Sequence, residues 1–207
     1  IDGSLAEAGR LCPEAVLVDT GRNAGYAGGI NAGLAAAPPH KAALILNPDV
    51  RLAADSVRSL VLQLERPGTG IAVPRLVDAR GQLILSLRRE PSLTRALGDA
   101  LLGAERAGRW SLLGEVVSDT AAYDRPQRTD WAEGSTLLVS AQCLADCGPW
   151  DESFFLFSEE TDFALRARDR GHGTWYEPSA QATHLEGGSN QSPLLWALLS
   201  VNRVRLY

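Results

Sequence analysis

Two groups of carboxylates and one late histidine are the side chains here with chemistry in them. Asp49 follows the apolar run Ala42–Leu46 and the turn residues Asn47 and Pro48. The run reads as a buried strand that Pro48 ends, which leaves Asp49 just past a strand's C-terminal edge. In open α/β sheets that edge is where ligands bind, and a carboxylate there is a hard ligand for a divalent cation carrying a phosphorylated substrate. The bland alternative is an Asn-Pro-Asp surface turn. The second group, Glu159, Glu160 and Asp162, follows the aromatic residues Phe154, Phe155 and Phe157. A carboxylate walled by aromatic rings has its pKa raised, as a general base requires, although acids also gather in first helical turns for the dipole alone. His184 precedes the glycine-rich residues 186–189; a lone histidine is more often structural than a ligand, but this one sits beside a loop able to approach an anion.

These groups need elements to position them. A weakly helical stretch at Leu5–Leu11 is followed by Ala15–Asp19, which reads as a buried strand. Glycines from Gly21 to Gly33 then lead into a small-residue helix that Pro38-Pro39 stops. A strand, a glycine loop and a helix N-terminus make an anion site through free backbone N–H groups, or else simply let helix and sheet pack closely. A clear helix is expected after Asp55, with Val57, Leu60, Val61 and Leu64 on its buried face, and Ile71–Pro74 is the next strand. Three strands alternating with two helices give a βαβ rhythm, hence a mostly parallel central sheet flanked by helices in a single domain.

Further on, Leu83–Leu87 reads as a strand, and residues 92–129 as a variable or mobile loop region holding a short helix near Leu97–Leu102. Thr136–Val139 is an apolar strand and Ser140–Cys147 a short helix. Ser158 is placed to cap a helix that ends before Gly171, in which Asp162 and Arg166 pair at i,i+4. Thr174–Glu177 and Ala182–Leu185 read as extended, and Leu194–Leu199 as an apolar helix packed on the core or lying on a membrane surface.

Composition narrows the function classes. A chain of 207 residues with 45% hydrophobic content supports one full core. A formal net charge of −5 without a Lys/Arg block argues against a nucleic-acid surface. Cys12, Cys143 and Cys147 lack zinc-type spacing and read as buried free thiols in a reducing, cytoplasmic compartment. No signal peptide or stretch of spanning length is seen, and the chain opens without Met in what reads as a loop, so a fragment or trimmed chain is expected.

Taken in order, Asp2-Gly3-Ser4, Asn23 through Gly33, Leu46 through Val50, Trp131 through Gly134, Gly148 through Glu152, Phe155 through Asp162, Arg166, Gly171 and His184 resemble the family 2 inverting glycosyltransferases. The resemblance is to bacterial rhamnosyltransferase-like and galactofuranosyltransferase-like members with the GT-A fold. It implies that Asn47-Pro48-Asp49 is a variant of the family's Asp-x-Asp motif, with Asp49 and His184 as ligands of Mn²⁺ or Mg²⁺. It also implies Glu160 as catalytic base, where the family more often has Asp, with Glu159 and Asp162 as flanking catalytic candidates. Asn23, Gly29 and Asn47 would border the donor, and Trp131, Glu133, Trp150 and Asp151 the sugar and acceptor. The implied donor is a nucleotide-diphosphate sugar, dTDP-rhamnose by the nearest resemblance. The acceptor would be a glycan or lipid-linked glycan of cell-envelope polysaccharide, reached in the cytoplasm or by peripheral association with the inner face of the membrane. The family's first strand and an Asp-Asn-Ala segment that holds the nucleoside would precede Ile1. Two rivals remain: a non-catalytic glycan- or partner-binding module on the same fold, and a dinucleotide-binding oxidoreductase suggested by strand, glycine loop and helix.

Overall fold

The computed structural model describes residues 3–185 and 193–206. After α1 (Ser4–Leu11) the chain runs through α2 (Gly25–Ala36), β1 (Ala42–Leu46), β2 (Val50–Leu52), α3 (Ser56–Leu64) and β3 (Thr69–Val77). The middle third holds β4 (Leu87–Arg88), α4 (Leu93–Leu102), α5 (Ala104–Ala107), β5 (Gln127–Thr129) and β6 (Trp131–Ala132). The last third is β7 (Thr136–Ser140), α6 (Ala141–Cys147), α7 (Glu159–Asp169), β8 (Gly173–His184) and α8 (Pro193–Arg205).

The central sheet has the order β1-β7-β3-β8-β2, with β5 also on β8, and β4 and β6 form a separate small ribbon. It is mixed, where a parallel majority is expected from the sequence. Among the described strands β3 and β8 are the one parallel pair; β1–β7, β3–β7, β2–β8 and β5–β8 are antiparallel. The cause is insertion: β7 enters between β1 and β3, which the βαβ rhythm would have made neighbours. An apolar run on a buried strand carries no mark of its direction.

Strand alternation sorts the core. Ile71 and Val73 of β3 and Leu137 and Val139 of β7 face Cys143 and Cys147 of α6 and Phe163, Ala164 and Ala167 of α7. Ala72 and Leu138 point the other way, onto Leu60 of α3. On α3 the buried stripe is Ser56, Leu60 and Gln63, and Val57 and Val61, expected inside, are exposed. The helix packs through one narrow row at i, i+4 and i+7, which leaves its other apolar residues on the flank.

Several local expectations change. Ala15–Asp19 is not a strand and Val16 is 74% exposed, because among the described residues no strand lies beside it to take its N–H and C=O groups. Thr174–Glu177 and Ala182–His184 belong to one strand, β8, which ends before Leu185 and whose pairing with β3 slips between Pro74 and Arg75, where the proline cannot donate to the ladder. The region 92–129 contains α4, α5 and β5 and is tied down by Arg89, whose guanidinium donates to the carbonyls of Gly108, Gly114 and Val116. Cys143 and Cys147 are buried free thiols as expected, while Cys12 is exposed. Helix α8 buries Asn202 and exposes Leu194, Trp196, Val201 and Val204, so it does not enter the core with its apolar residues.

Candidate active site

The turn after β1 is where the site begins. Asn47 donates its N–H to the Ser135 carbonyl at 2.9 Å, which ties the turn to the chain leading into β7. The chain then reverses into β2, whose Val50 pairs with His184 at the end of β8. That register brings Asp49 against His184: the Leu185 N–H reaches the Asp49 carbonyl at 2.8 Å, and Asp49 Oδ2 lies 3.1 Å from His184 Nε2. The other ring nitrogen faces Glu133 at 3.8 Å. A hard carboxylate oxygen and an imidazole nitrogen therefore meet at one point, although 135 residues separate them in sequence.

Helix α7 supplies the opposite wall. Its entry is strained: Phe155, Phe157 and Ser158 all have positive φ (59°, 70° and 76°), and Ser158 makes no side-chain cap, contrary to expectation. Glu159 is 2% exposed with one carboxylate oxygen unpaired, and Glu160 is open to the cleft. Burial pushes both carboxyl pKa values up, and the charge of Glu159 raises Glu160 further, with Glu133 adding to this and Arg88 opposing it. Two carboxylates this close titrate as a unit and hold a proton at neutral pH more readily than free glutamates do. Tyr26 on α2 completes the wall, its hydroxyl donating to the Gly134 carbonyl at 2.6 Å. Burial beside the two glutamates raises its pKa as well.

Tyr26, Asn47, Asp49, Glu133, Leu156, Phe157, Glu159, Glu160 and His184 line one open cleft of about 420 Å³ together with Pro48, Gly134 and Ser135. Six of the residues singled out in the sequence thus come together: Asn47, Asp49, Glu133, Glu159, Glu160 and His184. The aromatic wall is Phe157 with Leu156; Phe154 is buried instead under the Arg205 guanidinium, and Phe155 is 37% exposed.

The other candidates lie outside this cleft, each held by a packing or capping contact. Trp131 is buried, with Arg88 over its ring and its Nε1 donating to the Arg89 carbonyl. Trp150 stacks on Phe163 at 4.4 Å in the core. Asp151 caps the short turn at 152–154 by accepting from Ser153, and Asp162 pairs with Arg166 at 2.8 Å as the spacing predicts. Gly29 lines a separate groove between α2 and β1. Asn23 accepts from the Gly25 N–H, and the Tyr26 N–H is taken by the Phe155 carbonyl at 2.8 Å. Two of the four N–H groups at the start of α2 are thus taken by protein oxygens rather than left for an anion, which weakens the case for a dinucleotide site. The glycine-rich residues 186–189 lie outside the described residues.

Tyr26 and Gly134 are the site residues that single positions did not reveal. Gly134 sits so close to α7 that a Cβ there would lie 3.2 Å from that of Glu160. The only available signal was their place inside the two motifs, between Gly25 and Gly28 and directly after Glu133.

The MobA-like NTP transferase domain family matches residues 4–120. An N-acetylglucosaminyl-diphospho-decaprenol L-rhamnosyltransferase of Mycobacterium tuberculosis is 30% identical over 202 residues, covering 88% of this chain and 62% of that protein. The rhamnosyltransferase WbbL of Escherichia coli is 25% identical over 152 residues, covering 72% of this chain and 54% of its own length. The chain therefore spans little more than half to three fifths of these relatives. Among solved structures, GalNAc-T7 crystallised with UDP, GalNAc and Mn²⁺ superposes with a TM-score of 0.67 over 99% of this chain and 39% of that one, at 15% identity, a likeness of fold. The chain belongs to the MobA-like NTP transferase domain family and has the GT-A fold.

Proposed function

We propose that this chain is the catalytic domain of an inverting glycosyltransferase that moves a sugar from a nucleotide-diphosphate donor to a glycan or lipid-linked acceptor of the cell envelope. The single observation that carries this is the arrangement of one cleft: the Asp49–His184 pair on one wall and the Glu159–Glu160 pair on the other. dTDP-rhamnose is the proposed donor, supported by the names of the relatives.

The donor set suits a divalent ion. Asp49 offers a hard oxygen and His184 a nitrogen, a combination that favours Mn²⁺ over Mg²⁺. Among the described residues no group of three His, Cys, Asp or Glu side chains forms a ready cage. That fits cations bound through one or two protein ligands and the substrate's own phosphates. Such an ion supplies Lewis-acid stabilisation of the charge on the departing diphosphate. Glu133 lies 3.8 Å from the other ring nitrogen, so its charge faces the imidazole from the side opposite Asp49.

Glu160 takes the proton of the acceptor hydroxyl as that oxygen bonds to the anomeric carbon; the bond from that carbon to the diphosphate breaks, its electron pair leaving with phosphate oxygen. One displacement inverts the anomeric centre. Leu156 and Phe157 line the cleft beside Glu160, whose burial keeps its basicity high.

No helix among the described residues is long and apolar enough to cross a membrane. Approach to a lipid-linked acceptor is supported instead by the exposed row Leu93, Leu97 and Leu101 on α4, near Trp110, Leu112 and the arginines at 106 and 109.

Calorimetric titration with dTDP-rhamnose, with and without Mn²⁺, tests the donor assignment. Mn²⁺-dependent binding that Asp49→Ala abolishes is expected. Binding of a free nucleoside triphosphate in preference to the sugar nucleotide would favour nucleotidyl transfer, the chemistry in the matching family's name, and would overturn the proposal.

A further inference from the structure

The turn that delivers the carboxylate pair is held from the far end of the chain. Residues 154–158 carry three non-glycine residues at positive φ, a backbone that side chains disfavour and that persists only where surrounding contacts over-determine it. On one side, the Tyr26 N–H binds the Phe155 carbonyl at 2.8 Å, and Gly25 lies so near that any Cβ would strike that oxygen. On the other side stands α8. The Asn202 side chain, 2% exposed, points its amide nitrogen at three carbonyls of the turn: Phe154 at 2.6 Å, Leu156 at 2.9 Å and Phe157 at 3.0 Å. Three acceptors around one group leave only the NH₂ end of the amide able to face them, and its two protons span all three by sharing. Arg205, one turn on, donates to the Ser153 carbonyl at 2.7 Å and covers the Phe154 ring at 4.8 Å.

Asn202 is the one fully buried residue of a helix that exposes Leu194, Trp196, Val201 and Val204 and half-buries Leu195, Leu198 and Leu199. Through this polar contact the helix grips the backbone of Leu156 and Phe157, which line the cleft directly before Glu159 and Glu160. We infer that Asn202 is a positioning residue for the carboxylate pair: its side-chain amide locks the 154–158 turn and so sets where Glu159 and Glu160 enter the cleft. It touches no reacting atom, and it acts through the turn alone.

This rests on the reading of Glu160 as the base, and the test separates the two. Asn202→Leu removes the donors while keeping the branched heavy-atom skeleton, and Asn202→Ser keeps a single donor. Hydrogen exchange is followed at the amides of residues 154–160, and kcat and donor KM are measured per folded molecule. The expected result is exchange at least ~10-fold faster, confined to that segment. With it, kcat falls roughly 10-fold for Asn202→Leu, and less for Asn202→Ser, while donor KM stays within about twofold, as a sub-ångström displacement of the base requires. Unchanged exchange in the segment overturns the inference, as does a loss of protection spread over the whole chain. So does kcat per folded molecule equal to the parent's. If the parent turns over no donor, the proposed function fails on its own, and local loss of protection in Asn202→Leu still decides whether the turn is locked from α8.

Discussion

Gly134→Ala is the substitution from which most can be learned at one position. The added Cβ would lie 3.2 Å from Glu160 Cβ, 3.4 Å from its Cγ and 3.6 Å from its Cδ. Contacts to Cδ are ordinary, so the conflict is at the base of the side chain, where a few tenths of an ångström must be found. Helix α7 cannot easily supply them, because its entry is fixed by the strained residues 155–158. Rotation of Glu160 about its Cα–Cβ bond relieves the contact to Cγ but leaves Cβ in place, so the first turn of α7 must also give; together the two movements carry the carboxylate by roughly half an ångström, half the displacement that costs about 100-fold in rate. The expected outcome is a roughly 10-fold fall in kcat, about 1.4 kcal/mol of activation free energy, with donor KM unchanged. Stability moves little: overpacking of about 1 kcal/mol is offset by about 0.4–1 kcal/mol from the smaller entropy of the unfolded chain. Initial-rate transfer from labelled dTDP-rhamnose beside a thermal melt measures both. A folded Gly134→Ala protein with kcat within twofold of the parent would refute the claim that the position of Glu160 limits the reaction.

Glu159→Gln tests the carboxylate pair through stability. A carboxyl whose folded pKa is raised above its unfolded value stabilises the fold below the unfolded pKa, and that contribution is lost as pH rises through the folded one. Glu159→Gln is therefore expected to gain stability relative to the parent at pH 8 compared with pH 5 in urea unfolding; an equal difference at both pH values would contradict it. Arg203→Ala strips the bidentate partner from Glu115, a carboxylate 2% exposed whose pKa burial already raises. A loss of about 3 kcal/mol in urea unfolding is expected, smaller at pH 5, where Glu115 can protonate. Replacing both Leu97 and Leu101, 60% and 74% exposed, by Glu is expected to abolish sedimentation with phosphatidylglycerol vesicles while leaving transfer to a water-soluble acceptor intact.

What could be read from the sequence was what is local. Asn47-Pro48-Asp49 ends a strand, α7 begins at the glutamates, and Asp162 meets Arg166, because a turn, a helix start and an i,i+4 pair are each decided within a few residues. The insertion of β7 between β1 and β3 turns a parallel rhythm into a mixed sheet, and no residue of Thr136–Ser140 encodes it. Val16–Val18 has the pattern of a strand without a neighbouring strand among the described residues. Trp131 lies in the same motif as Glu133, and Trp150 and Asp151 lie in the 148–152 motif, yet they serve the core and a turn: a motif marks a neighbourhood, and only packing decides which of its side chains faces the cleft. Asn202 could not be found in advance, since its three acceptors are backbone carbonyls more than forty residues away.

The measurement closest to the central claim is the rate of sugar transfer by Glu160→Gln with Mn²⁺ and saturating donor, paired with its donor affinity. The isosteric amide keeps the shape of the cleft and removes only the ability to take a proton. A kcat lowered about 10²–10⁴-fold with donor affinity unchanged is the predicted result. Transfer within twofold of the parent would show that another group deprotonates the acceptor, and that the carboxylate pair facing Asp49 and His184 is not the catalytic base.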